Sequence, residues 1–152
     1  MPIDVTVKGH IEARNKLLQV ARDLRGDEFV DAMQTATLMV ERDAKLLAPV
    51  DTGRLRASIT GEVRVEGNSV QGVVGSNVLY APYMELGTRP HFPPVRALAV
   101  WARRHGMNAF LVARAISVRG TKPREFLQRA FEQNRVRIVA MLGDAVGRIV
   151  RK

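Results

Sequence analysis

The sequence contains no cysteine, and this absence excludes disulfides, thiolate metal sites and a cysteine nucleophile. It has no stretch approaching the roughly 18 apolar residues that a membrane helix needs. The N-terminal MPIDVTVKGH also lacks the basic run and apolar segment of a signal peptide. Aromatic residues are few, at 5%, but 46% of the 152 residues are hydrophobic, which is enough for one core. We therefore expect a soluble, unexported protein with a single domain over residues 1–152.

Acidic residues are scarce in the C-terminal part of the chain. Residues 1–88 hold 10 Lys and Arg against 12 Asp and Glu, whereas residues 89–152 hold 14 against 3. Such a positive region indicates a surface for nucleic acid, an acidic protein or anionic lipid. A solvated helix face that keeps the protein soluble is the alternative interpretation. The candidate contact residues are Arg89, Arg96, Arg103, Arg104, Arg114, Arg119, Lys122 and Arg124.

Hydrophobic periodicity predicts an α+β fold in which a small antiparallel sheet packs on long helices. Gly67-Asn68 lies between two alternating segments and is typical of a hairpin turn, which places the hairpin at about 58–75. Gly26 is expected to end the first helix as a left-handed cap, and Asn134 interrupts the apolar stripe of the last helix. The predicted elements are a strand at 3–7, helices at 11–24 and 27–47, strands at 59–65 and 69–75, helices at 80–86, 94–104 and 108–118, and a long C-terminal helix from Pro123.

Two near-identical tetrapeptides, GTRP at 87–90 and GTKP at 120–123, bracket a helical stretch. Two copies are too few for a repeat architecture. We interpret them as matching turns at the base of a helical insertion at about 91–120, with its helices at about 93–118. Removal of this insertion would leave the sheet, the turn and the final helix connected.

Asp51-Thr52-Gly53 is the signature tripeptide of aspartic proteases, and a dimer could bring two such aspartates together. In those enzymes two carboxylates share a proton, which requires a shielded pocket without cations. Here Arg54 and Arg56 follow directly and favour an ionised carboxylate. We therefore expect no enzyme activity, and we interpret Asp51 as the cap of a short turn over residues 52–57.

Other patterns that could support chemistry are weak. His10, His91 and His105 lack the spacing of a helical zinc pair, and the sequence has no phosphate-binding glycine loop or nucleophile elbow. Trp101 and Phe92 could stack on nucleic-acid bases among the nearby arginines. Trp101 also lies on an apolar helical stripe, which favours core packing. We predict no metal and no cofactor.

Three segments resemble, in this order, those of the gene-product-ten-like tail components of lambdoid phages: APVDTGRLRASI at 48–59, VLYAPYMELGTRP at 78–90 and KPREFLQRAFE at 122–132. Each segment is weak alone, whereas their order and spacing are specific. The resemblance covers about residues 27–145, and the sequence departs from the compact pattern by about 30 residues between the second and third segments. The motif residues are Asp51, Thr52, Gly53, Arg54, Leu55, Tyr80, Glu85, Gly87, Thr88, Pro123, Phe126 and Leu127.

The resemblance implies a structural virion subunit that completes the tail or joins it to the head, located in the neck and assembled in the host cytoplasm. Its implied partners are further copies in a ring around the tail axis, the tail terminator or tail tube protein, and head-completion or connector proteins. We guess six-fold symmetry for the ring and expect proximity to DNA but no membrane contact. Glu85 and Arg54 are candidates for a packing or subunit contact, with an exposed ion pair as the alternative. The alternative function is that of a basic protein that binds nucleic acid without sequence preference.

Overall fold

The computed structural model describes residues 10–24, 26–67 and 69–151. The predicted strand at 3–7 and Asn68 of the predicted turn lie outside these residues. The described chain forms seven helices and one two-stranded sheet, which confirms the α+β prediction. The elements are α1 His10–Asp23, α2 Asp27–Leu47, α3 Arg54–Ser58, β1 Ile59–Glu66, β2 Ser69–Ser76, α4 Ala81–Leu86, α5 Val95–Arg104, α6 Ala109–Arg119 and α7 Phe126–Arg151.

The described chain divides into two compact units. Unit 1 contains residues up to Arg42, Thr60–Val74 and residues from Glu132 onward, and unit 2 contains Asp43–Ile59 and Gly75–Phe131. Helices α2 and α7 each contribute residues to both units. The single domain expected from the chain length stays a prediction.

In unit 1 the hairpin lies against α2 at two glycines. A Cβ at Gly61 would lie 2.7 Å from Thr37 Cγ2, and a Cβ at Gly72 would lie less than 3.0 Å from Thr37 Oγ1. Thr37 is only 4% exposed, and its hydroxyl donates to the Met33 carbonyl at 2.8 Å. The Glu41 carboxylate accepts a hydrogen bond from the Gly61 N–H at 2.7 Å. Glycine at these two positions therefore allows the strands to approach the helix closely.

Alanine dominates the buried core of both units. Among the described residues, the largest side chains that are fully buried are Phe126 and Ile59. Leu, Ile, Val and Phe normally fill protein cores, whereas many of these side chains are exposed here. The chain on its own therefore leaves much of its apolar surface uncovered. The buried alanines are Ala32, Ala36, Ala44, Ala48, Ala81, Ala102, Ala113, Ala130 and Ala145.

The last helix begins at Phe126, so the predicted start at Pro123 is wrong. Glu125 has a positive φ of 51°, which no helical residue adopts. The N–H groups of Arg124 and Glu125 donate to carbonyls near the end of α4, at 2.9 and 3.1 Å. These hydrogen bonds hold the segment after Pro123 outside the helix.

Two smaller predictions about the helices are also wrong. Asn134 interrupts the buried stripe of α7 as predicted, at 4% exposure, but Phe131, which the periodicity also places on that stripe, is 49% exposed. Gly26 does not have a positive φ and is therefore not a left-handed cap. Its carbonyl instead accepts hydrogen bonds from Phe29 and Val30 at the start of α2.

In unit 2, α5 and α6 pack against each other as a helical hairpin, and we call residues 89–124 the arm. Gly106 has a positive φ of 65° in the turn between the two helices. The Met107 N–H donates to the Ala102 carbonyl at 2.8 Å. Asn108 caps α6, because its Oδ1 accepts hydrogen bonds from two N–H groups in the first helical turn. Local hydrogen bonds thus fix the outer end of the arm.

Candidate functional site

The two GTxP turns meet at the base of the arm, as predicted. Thr88 and Thr121 form an antiparallel bridge in which each N–H donates to the carbonyl of the other, at 3.1 and 3.2 Å. The Thr121 hydroxyl also donates to the Thr88 hydroxyl at 3.0 Å. We call this pair the threonine bridge. It joins the two ends of the arm through backbone and side-chain hydrogen bonds together.

Gly87 and Gly120 precede the two threonines and have backbone conformations that side chains rarely allow. Their φ and ψ angles are 72° and −175° for Gly87, and 67° and −159° for Gly120. A Cβ at Gly87 would lie less than 3.0 Å from the Thr121 carbonyl oxygen, and a Cβ at Gly120 would lie closer still to the Thr88 carbonyl oxygen. Both the backbone angles and the neighbouring carbonyls therefore require glycine at these positions.

Glu85, in the second family-like segment, caps the long helix α7. Its Oε2 accepts from the Leu127 N–H and its Oε1 from the Gln128 N–H, each at 3.0 Å. The first turn of α7 has no acidic residue of its own. A distant carboxylate thus satisfies N–H groups that the first helical turn leaves without partners, at the positive end of the helix dipole. This contact brings the second and third segments together.

Sequence reasoning named Glu85 as a candidate for a packing contact but did not find its partner. The sequence signal was hidden by the predicted start at Pro123, whose first turn contains Glu125; only the start at Phe126 has neither a Ser, Thr, Asp or Asn directly before it nor an acidic first turn. A helix start without a local cap indicates a cap from elsewhere in the fold.

The DTG loop is held together differently from the prediction. Gly53 occupies the cap position of α3 with a φ of 81° and has no side chain that could cap the helix, while the Arg54 N–H donates to Thr52 Oγ1 at 3.4 Å. Asp51 instead forms an ion pair with Arg104, with 2.7 Å between Oδ2 and Nη2. The prediction that Asp51 caps the turn is therefore wrong, because an arginine from α5 contacts its carboxylate.

A groove of about 530 Å³ lies beside this loop and contains residues of the first and second segments. The hydroxyls of Ser58 and Ser76 are hydrogen-bonded at 2.7 Å near the strand ends Ile59 and Ser76. The groove is lined by Arg54, Ala57, Ser58, Asn77, Val78, Leu79 and Tyr80.

Two other motif residues belong to the core. Leu55 and Phe126 are buried, at 4% and 0% exposure.

The second segment also exposes large apolar side chains. Leu79 is 92% exposed, Leu86 74% and Tyr83 62%. Tyr80, a motif residue, is 40% exposed and lines the groove. Exposed apolar side chains that cluster in one short segment are typical of a surface that contacts another protein.

A family model described as "Bacteriophage HK97-gp10, putative tail-component" matches residues 12–87, which is half of the chain. The chain belongs to this family. The resemblance expected from the motifs is thereby confirmed, and the role of a bacteriophage tail component with it. The match ends at Gly87, so the arm and the third segment lie outside it. No curated protein and no solved structure matches the chain significantly.

The eight candidate basic residues of this tail component are all exposed. Within the described chain, only Arg104 among them has an acidic partner. The Trp101 ring stacks on His105 with 4.5 Å between ring centroids, and Phe92 contacts Phe110 edge to face at 6.3 Å. The tryptophan thus has a partner within the arm.

The described part of the tail component shows no group of three His, Cys, Asp or Glu side chains that could hold a metal ion. None of its described helices combines the length and the apolar character needed to cross a membrane. Among the motif residues, Glu85, Gly87 and Thr88 fix backbone positions, whereas Leu55 and Phe126 fill the core.

Proposed function

We propose that this tail component is a structural subunit of the phage neck, which completes the tail and helps to join it to the DNA-filled head. Family membership supports a structural role in the tail. The geometry of the motifs supports a role without catalysis, because Glu85 and Gly87 fix the backbone around α4 and Leu55 lies in the core. The protein would act through its shape and its contacts.

The uneven burial of apolar side chains carries the proposal. Alanines fill much of the core, whereas Leu79, Tyr83 and Leu86 remain exposed within the residues that match the family. Burial of a Leu side chain contributes about 1.5–3 kcal/mol, so contacts at these residues would stabilise an assembly. We propose that neighbouring copies cover them in a ring around the tail axis, with six copies as the working number. The tail terminator or tube and the head-completion or connector proteins would contact the two faces of the ring.

A phage that lacks this gene tests the proposal. It should fill its heads with DNA and build tails, yet fail to join them into infectious particles. Addition of the purified protein to the extract should restore joining, whereas protein with Leu86→Asp should restore it poorly, because a charge would replace an apolar contact. Val139→Asp on α7, at a site 66% exposed outside the matched residues, is the control variant. Normal particles from the deletion mutant, or a block before the heads are filled, would contradict a position in the neck.

A further inference from the structure

We infer that the arm binds the phosphate backbone of double-stranded DNA without sequence preference. The arm carries eight Lys and Arg and no Asp or Glu over residues 89–124. All eight cationic side chains are exposed. Seven of them have no acidic partner within the described chain, the exception being Arg104 with Asp51. The positive charge of the arm is thus available to an external polyanion.

Three of the five arginines of α7 differ from those of the arm in this respect, whereas Arg137 and Arg151 have no acidic partner within the described chain. Arg129 and Arg135 pair with glutamates one helical turn away, and Arg148 pairs with Glu28 at 2.7 Å. Uncompensated positive charge therefore concentrates in the arm rather than spreading evenly over the C-terminal part. A helix face that only maintains solubility would not require the unpaired cations to lie mainly in the arm.

The identity of the cations favours phosphate as the ligand. Seven of the eight are arginines. The planar guanidinium group can donate two parallel hydrogen bonds to a phosphate, and it is more weakly hydrated than an ammonium group. Arginines of the arm lie on α5, on α6 and in the two chain segments next to the threonine bridge.

The neutral polar side chains of the arm are engaged within it. Asn108 Oδ1 accepts two backbone hydrogen bonds, and the Ser117 hydroxyl donates to the Arg114 carbonyl at 2.8 Å. Base edges are read mainly by Arg, Lys, Asn, Gln, Ser and Thr in defined positions, and base stacking needs a free aromatic face. Trp101 already stacks on His105. The exposed Arg and Lys side chains of the arm can donate to the phosphates of any sequence, and the two unrelated duplexes in the test below separate such contacts from contacts to bases.

This inference deepens the proposed function by naming DNA as a partner of the neck subunit, since a tail component that joins a filled head lies where DNA is present. The arm also exposes Leu111 and Val118, which a DNA backbone would not cover. An acidic protein that binds the same arm is therefore the competing outcome of the test.

The test measures the affinity of the purified full chain for two 20-base-pair duplexes of unrelated sequence, by fluorescence anisotropy between 50 and 200 mM salt. The arm variant carries Gln at Arg96, Arg103, Arg114 and Arg119. The control variant carries Gln at Arg14, Arg22, Arg137 and Arg151, which are exposed residues outside the arm. Both variants lose the same charge from the +9 of the chain, so only the location differs. Circular dichroism checks that both remain folded.

We expect the arm variant to bind DNA at least tenfold more weakly than the control variant at equal salt. The slope of log affinity against log salt should become shallower by about 3.6, because each of the four lost phosphate contacts removes about 0.9. Equal losses in both variants would show that net charge alone acts and would overturn the inference. Hundredfold preference for one duplex, or tighter binding to polyglutamate than to duplex, would also overturn it. Loss of DNA binding by the arm variant with head–tail joining intact would leave the inference standing and separate DNA binding from joining. Normal joining by the deletion mutant, with DNA binding by the purified chain intact, would contradict only the proposed function.

Discussion

Close backbone approach is achieved in different ways in the two units of the protein. In unit 1, Gly61 and Gly72 face one side chain, that of Thr37, and the Glu41 carboxylate accepts from the Gly61 N–H. In unit 2, Gly87 and Gly120 face backbone carbonyls, and the Glu85 carboxylate accepts from the N–H groups at the start of α7. Each unit thus combines a pair of glycines with one glutamate.

The atoms that would clash with a side chain at these glycines differ between the units. A side chain can be shortened by substitution, whereas a backbone carbonyl that makes a bridge cannot be removed. The glycines of unit 2 also have positive φ angles, and those of the unit 1 pair do not. The unit 1 contact should therefore tolerate a compensating change, and the threonine bridge should not.

The largest effect is expected from Gly120→Ala. The substitution places a Cβ against the Thr88 carbonyl at backbone angles that strongly favour glycine, so the free energy of unfolding should fall by about 3 kcal/mol. Urea denaturation measures this change. Gly143→Ala is the matched control, because its Cβ would meet no atom within 4 Å and alanine favours the helix. A loss under about 1 kcal/mol for Gly120→Ala would show that the bridge shifts easily.

Gly72→Ala should destabilise by about 1–3 kcal/mol, since its Cβ would overlap the Thr37 hydroxyl. Thr37→Ala removes that hydroxyl, so the double variant should lose less than the sum of the two single variants, by about 1 kcal/mol or more. Urea denaturation of all four proteins measures this coupling. When Thr37→Ala is combined with Gly120→Ala, the two losses in unfolding free energy should simply add. Additive losses for Gly72→Ala and Thr37→Ala would show that the Thr37 side chain is not the obstacle at Gly72, and the contrast between the two units would then fail.

Glu85→Gln should destabilise by about 1 kcal/mol, because the neutral amide retains one acceptor oxygen and loses the favourable charge at the start of α7. Thermal denaturation followed by circular dichroism at 222 nm measures the change. Glu132→Gln, on the exposed surface of the same helix, is the control and should change stability by a few tenths of a kcal/mol. Equal effects would show that the Glu85 contact contributes no more than a surface ion pair.

The smallest effect is expected from Asp51→Ala, which removes a partly exposed side-chain ion pair and no backbone contact. Unfolding free energy should fall by less than about 0.5 kcal/mol, and Arg104→Gln should give a similarly small loss. Denaturation in urea at low and high salt measures both variants. A loss of about 1 kcal/mol for Asp51→Ala alone, unchanged by salt, would restore the capping role predicted from the sequence.

Local signals in the sequence predicted most element boundaries closely. Alternating residues gave the hairpin, and the bounds of α4, α5 and α6 follow from Pro94, Asn108 and the glycines at 87 and 120. These residues act through their own backbone, so their effect can be read without knowledge of the fold. The match between the two tetrapeptides predicted two turns at the base of the arm, whereas the pairing of Thr88 with Thr121 came only from the structure.

The errors at Asp51 and Pro123 share one physical cause, which is contact between residues distant in sequence. Asp51 looked like a cap until Arg104 provided a partner. Pro123 looked like a helix start until the following N–H groups were engaged by α4. Thr37 gave no signal at all, because only the packed hairpin shows which α2 side chain faces its glycines.

The threonine bridge also makes the opening of the arm observable through two amide hydrogens. The amide hydrogens of Thr88 and Thr121 are donated to each other's carbonyls, so neither can exchange with solvent water until the bridge opens. Opening of the bridge frees both amides at once. The two amides should therefore exchange with deuterium at similar rates, and those rates would give the free energy with which the arm detaches from its base while the remainder of the chain stays folded.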